Sequence, residues 1–158
     1  MKFIVLAAIL FVTACASAPA PAAHTDVRQI VSTTSFGMCV GYCTTRLEIS
    51  EGRAVLIREA RGGRGGSQDL PLQRFTAVLT PDEWDAIERV AASTDLSGLP
   101  PVIGCPDCAD GGAESLTIDS GNAQQQSISF EYGVAVAEAA PLLERIRALR
   151  TRLTPAER

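Results

Sequence analysis

The chain has only one histidine, His24, and it stands in a Pro/Ala-rich stretch outside every segment that patterns as a strand or helix. The domain that follows therefore has no imidazole to activate a Ser or Cys nucleophile, which excludes triad chemistry. Glycines are present in a GGRGG stretch, but without the Lys-Ser/Thr and the following helix that make a phosphate cradle. No internal repeat is visible, and the apolar run at residues 3–12 falls well short of the ~20 residues needed to span a bilayer. Basic charge is short as well: beyond residue 14 there are thirteen arginines against eighteen acidic residues, a formal charge of −5, which argues against nucleic acid as a partner.

What is present begins with the N-terminus. Lys2 followed by the uncharged run at residues 3–12 reads as a signal peptide. The next residues, Val12-Thr13-Ala14-Cys15, resemble the lipobox of bacterial lipoproteins. That resemblance implies removal of residues 1–14, a diacylglycerol thioether on Cys15 and acylation, palmitate among the chains, of the new amino group. Each buried CH₂ contributes ~0.8 kcal/mol, and two acyl signals suffice for stable attachment to the lipid bilayer. Ala16 in place of Asp implies, by the same resemblance, onward export to the outer membrane, facing the periplasm. The competing reading is an ordinary secretory signal with Cys15 free. Residues 16–25 alternate Pro and Ala and read as an extended stalk of ~3.1 Å per residue. Residues 26–153 are then one domain, with residues 154–158 as a tail.

Within the domain, residues 28–36 and 44–50 are rich in β-branched residues, and Leu47 and Ile49 alternate with Arg46, Glu48 and Ser50, which is the pattern of half-buried strands. Glu51-Gly52 turns the second strand into a third at residues 53–60. Residues 61–67, with four glycines in seven, read as a mobile hairpin tip before a fourth strand at 70–79. Thr80-Pro81-Asp82-Glu83 places Thr at an N-cap, Pro at N1 and Glu at N3, a capping box that starts a helix. Leu79 and Trp84 form its hydrophobic staple, and Trp84, Ile87, Val90 and Ala91 share one face. After Leu99-Pro100-Pro101 and a cysteine loop, residues 113–119 and 124–132 read as a hairpin turned by Ser120-Gly121-Asn122. A final helix carries Leu142, Leu143, Ile146, Leu149 and Leu153 on one side. The expected fold is α+β: an antiparallel sheet of five or six strands with two helices on one face.

Four cysteines remain in the domain, in two close pairs: Cys39 with Cys43, and Cys105 with Cys108. Three readings compete. An exported protein with an even number of core cysteines oxidises them to structural disulfides, paired either within each motif or across the two. Cys-x₃-Cys with Cys-x₂-Cys also has acceptable spacing for a four-thiolate zinc site. Cys105-Pro106-Asp107-Cys108 superficially resembles a thioredoxin motif, but it runs into Ala-Asp-Gly-Gly and a strand rather than the helix that lowers the attacking thiol's pKa.

The segments Phe36-Gly37-x-Cys39-x-Gly41-Tyr42-Cys43, the Leu-Thr-Pro-Asp-Glu-Trp helix start and the run from Gly104 through Cys105-Pro106-Asp107-Cys108-Ala109-Asp110-Gly111-Gly112 to Glu114 resemble a family of bacterial lipoprotein domains of unknown function. The likeness covers residues 30–150 and implies a fold type and an envelope location, with no activity attached. Relatives with Phe-Gly-x-Cys-Pro-x-Tyr lack the second cysteine of the first segment. That departure implies that Cys43 pairs with a cysteine of the later loop.

Two charged groupings complete the candidates. Asp107, Asp110 and Glu114 offer a Ca²⁺ loop or an acid/base pair, although their spacing misses the EF-hand pattern and Asp-Gly-Gly is more simply a turn. Arg145, Arg147, Arg150 and Arg152 on the last helix read as a solvated face, with anionic head groups as the alternative contact. The function expected is a non-enzymatic envelope lipoprotein that binds or scaffolds an envelope protein partner. The alternative is a thiol-redox or zinc protein built on Cys39, Cys43, Cys105 and Cys108.

Overall fold

The structure is a computed structural model that describes residues 27–60, 70–121 and 125–155. The signal segment, Cys15, the stalk with His24, the glycine-rich tip, residues 122–124 of the later turn and the last three residues lie outside the described residues.

Four consecutive strands open the fold, β1 (Val27–Ser35), β2 (Tyr42–Ser50), β3 (Arg53–Ala60) and β4 (Gln73–Val78), with inward apolar residues alternating along β2 and a continuous apolar run in β3. They pair antiparallel as a meander. The chain then forms α1 (Pro81–Ser93), β5 (Val102–Ile103), β6 (Ala113–Ser120), β7 (Gln126–Glu131) and α2 (Ala140–Leu153). Strand order is β4-β3-β2-β1-β6-β7-β5, so the first strand in sequence is the middle of the sheet.

The expected sheet of five or six antiparallel strands is thereby corrected to a mixed sheet of seven. The additional strand, β5, runs parallel to β7, with Val102 opposite Ser129 and Ile103 opposite Phe130. Its two residues are too few to show a period, and Pro100-Pro101 before them masks the segment as a break. Its direction follows from connectivity: β4 ends and β7 begins at the same end of the sheet, and the chain returns to that end before entering β5. α1 leaves the β4 edge and the chain reaches the opposite edge, a traverse of six strand spacings or roughly 29 Å.

Register places Ile30, Leu47, Leu56, Leu116 and Ile128 in neighbouring positions on one face of the sheet. Those side chains form one buried cluster with Trp84, Ile87 and Ala91 of α1 and Leu142, Leu143, Ile146 and Leu149 of α2. Both helices therefore cover the same face. The other face carries Thr33, Arg46, Glu48, Thr117 and Ser129, with Val55 and Ile57 buried between Arg46, Glu48, Arg74 and Thr76 of the flanking strands. Long polar side chains cover apolar surface with their stems, which explains how β3 is buried on both faces without a second helix layer.

The start of α1 forms as its sequence dictates. Thr80 Oγ1 accepts a hydrogen bond from Glu83 N at 3.3 Å, and Thr80 N donates to Glu83 Oε2 at 2.9 Å. Leu79 and Trp84 are both buried, consistent with the staple.

Candidate functional site

One end of the sheet gathers the end of β1, the start of β2, the end of β5, the start of β6 and the end of β7. Both cysteine segments are connections at that end. The disulfides join Cys39 to Cys43 and Cys105 to Cys108, so pairing is local. The cross-pairing of Cys43 implied by the family resemblance does not form. Cys43 opens β2 with its side chain buried, four residues from Cys39, within reach of a five-residue ring.

The two rings are locked together by a few contacts. Gly37 N donates to Asp107 Oδ1 at 2.9 Å, and Cys105 N donates to Glu131 Oε1 at 2.9 Å. Phe36 N donates to Cys43 O, while Asp107 N and Tyr132 N both donate to Gly112 O at 3.0 and 3.1 Å. The Phe36 ring meets Tyr132 edge to face at 4.8 Å. Close approach explains two glycines here: a Cβ on Gly37 would fall 2.6 Å from Asp107 Oδ2, and one on Gly112 would fall 2.5 Å from the Phe36 ring. Tyr42 adds a tie to the neighbouring segment, donating its hydroxyl to Pro71 O at 2.8 Å beneath the Arg58 guanidinium.

Around this frame the surface is apolar where the loops are most exposed. Met38 and Val40 are 74% and 78% exposed inside the first ring's segment, and Tyr132 and Val134 are exposed just past β7. Ordered exposed apolar side chains on rigid loops are the usual material of a protein-docking surface. Backbone conformation there is unusual too: Asp107, Ala109 and Asp110 all have φ between 50° and 61°. Asp tolerates that left-handed region through its short polar side chain, but Ala109 has no such help.

The three carboxylates proposed from sequence do not assemble. Asp107 and Asp110 stay in the second ring's turn, whereas Glu114 points into the core, fully buried beneath α2. Arg147 grips it with Nη2 at 2.6 Å and Nε at 3.1 Å from Oε2, and Arg150 Nη1 approaches Oε1 at 3.3 Å. Arg150 also donates to Ser32 Oγ at 2.6 Å, and Arg147 to Val134 O at 3.3 Å. Arg147 and Arg150 are therefore corrected from a solvated face to an ionic clamp that seats α2 on β1 and β6. The signal was present in sequence: Glu114 alternates with Leu116 and Ile118, which puts it on the inward face.

Arg145 and Arg152 border a different feature, a groove of about 430 Å³ between the helices, lined by Leu79, Ala86, Ile87, Ala148 and Leu149. Arg152 Nη1 donates to Glu83 Oε1 at 2.7 Å across it. That hydrogen bond, with the one from Thr80 N, holds the Glu83 carboxyl below its ordinary pKa. On the open sheet face, Gln29, Val31, Arg46, Thr117, Asp119 and Gln125 line a smaller polar hollow of about 200 Å³.

The four-thiolate zinc arrangement needs four free thiolates, whereas in this structure the four sulphurs are bonded in pairs as disulfides. Among the described residues no group of three or more His, Cys, Asp or Glu side chains converges as metal ligands. No helix among them is long and apolar enough to cross a membrane.

Fold and site together define a two-layer α+β domain stabilised by two local disulfides that brace one end of a seven-stranded sheet. Neither family models, nor curated proteins, nor solved structures match the chain.

Proposed function

We propose that this chain is an exported lipoprotein moored in the cell envelope through Cys15, and that its domain is a non-enzymatic platform presenting the disulfide-braced end to a protein partner. The observation that carries the reading is the position of that end. The chain enters the fold at Val27, which pairs with Ser120 at one end of the central strand, while Ser35, Ala113 and the two rings lie at the other. They are the two ends of a nine-residue strand, roughly 27 Å apart. A tether attached before Val27 therefore leaves the exposed Met38, Val40, Tyr132 and Val134 facing away from the anchoring surface. The second ring adds Asp107 and Asp110, so the matching partner surface is an apolar depression with a basic rim.

Two measurements test this. Metabolic labelling with a palmitate analogue is expected to mark the exported chain and to fail on Cys15→Ala; an unlabelled, cytosolic wild-type protein overturns the anchoring. A photo-crosslinking residue at Val40 is expected to capture one envelope protein that the same residue at Thr117, on the open sheet face, does not. Equal capture from both positions overturns the docking surface.

A further inference from the structure

The two disulfides differ in a way their shared location conceals. Cys43 is 2% exposed, whereas Cys39, Cys105 and Cys108 are all exposed. A disulfide opens when a thiolate attacks one sulphur and expels the other, and the step is faster the more stable the departing thiolate. Attack at Cys39 must expel the Cys43 thiolate into a buried position, where the loss of hydration opposes charge. Either sulphur of the second ring departs into water. The second ring encloses Asp107 at φ 61°, and Ala109 at 50° and Asp110 at 60° follow in the turn that Cys108 opens, conformations that L-residues adopt at a cost and that can relax once the ring no longer fixes Cys108.

We infer that Cys105–Cys108 is a reversible thiol–disulfide exchange site and Cys39–Cys43 is a permanent brace, so that reduction of the second ring unlatches the docking end. The inference rests on the reading of that end as a docking surface. The electron donor is a dithiol, either an exported dithiol protein or a small dithiol reagent. One of its thiolates attacks a sulphur of the ring to form a mixed disulfide, and the other ring sulphur leaves as a thiolate that takes a proton from water. The donor's second thiolate then closes its own disulfide and releases the remaining cysteine thiolate, which is protonated in turn. Two electrons and two protons pass to Cys105 and Cys108. The ring opens, and Asp107 loses the geometry in which its Oδ1 accepts from Gly37 N. The contact between the two cysteine segments is thereby released while Phe36 N stays bonded to Cys43 O.

The test uses the full exported protein, oxidised, under a dithiothreitol titration quenched by alkylation and read by peptide mass spectrometry, with amide exchange of Gly37 followed in parallel. Cys105 and Cys108 are expected to be alkylated at least about tenfold sooner than Cys39 and Cys43, with Gly37 protection falling at the same dithiol concentration. Ala109→Gly keeps both disulfides and removes one strained position. It is expected to raise the dithiol needed for half-reduction about fivefold. Opening of Cys39–Cys43 first or together with the other ring, a Gly37 amide indifferent to reduction, or a midpoint unmoved by Ala109→Gly each overturns the latch. Failure of the docking reading shows separately, as loss of selective cross-linking at Val40 in the fully oxidised protein.

Discussion

Gly112 and Glu114 stand two residues apart, yet they belong to regions ordered by opposite means. Below Ala113 the chain is held by burial: Glu114 is fully enclosed, and two arginines from α2, 36% and 12% exposed at their side chains, neutralise it. Above it, no α-helix among the described residues covers the strand ends, and order comes from two short covalent rings, a few hydrogen bonds and one aromatic contact. The lesson is that covalent bracing substitutes for a core where strand ends lie uncovered. A buried ion cluster specifies how a helix sits, and loss of one partner leaves uncompensated charge. A ring only shortens the list of conformations open to a loop.

That contrast predicts a ranking. Glu114→Ala is expected to destabilise most, by about 3 kcal/mol in urea unfolding, the low end for a broken buried pair because Arg147 can turn to water. Glu114→Leu with Arg150→Met is expected to recover most of that loss, since Arg150 Nε is already buried without a hydrogen-bond partner. A double mutant no better than Glu114→Ala would make the clamp a source of stability rather than of register. Next comes Cys39→Ser with Cys43→Ser, expected to cost about 2 kcal/mol for a loop this short. The same change at Cys105 and Cys108 is expected to cost less, because Asp107 inside that ring and Ala109 beside it are then free to relax; an equal or larger drop in melting temperature would remove the distinction between the rings. Thr80→Ala, remote from both regions, is expected to cost about 1 kcal/mol through the lost cap.

The smallest effect concerns acid. Glu83 has its pKa lowered in the folded state by Arg152 and Thr80, so its contribution to stability is present above the unfolded carboxylate value and disappears as pH falls through the lowered folded value. Glu83→Gln is expected to flatten that portion of the acid-denaturation curve, lowering stability by a constant amount in the neutral range and leaving the slope there unchanged. An unchanged acid limb would show that the pair across the helix groove is too exposed to matter.

Legibility in sequence followed the range of the interaction. Leu47 and Ile49 alternate within seven residues, Thr80-Pro81-Asp82-Glu83 caps within four, and Leu142 to Leu149 repeats within three turns; each announces its element locally, and each element formed. β5 was missed because two residues carry no period and its partner Ser129 lies 27 positions later. Arg147 and Arg150 were misread because a charged residue beside an apolar stripe is ordinarily solvated, and only the inward placement of Glu114, 33 and 36 residues earlier, reverses that reading. At the candidate site, the cysteines and glycines were conspicuous. Their pairing was not, because local and crossed rings satisfy the same spacing.

By itself the sequence determined the longer elements, the apolar stripes, the capped start of α1 and the presence of two cysteine pairs, since all of these depend on neighbours within about a helical turn or a strand's length. Tertiary structure alone decided the rest: that the first strand is central, that the sheet is mixed, that Glu114 faces arginines rather than Asp107, and that each cysteine closes on its nearest partner. Those outcomes depend on which surfaces meet once the helices fold back over one face, and meeting in space is not a property of any short stretch of chain.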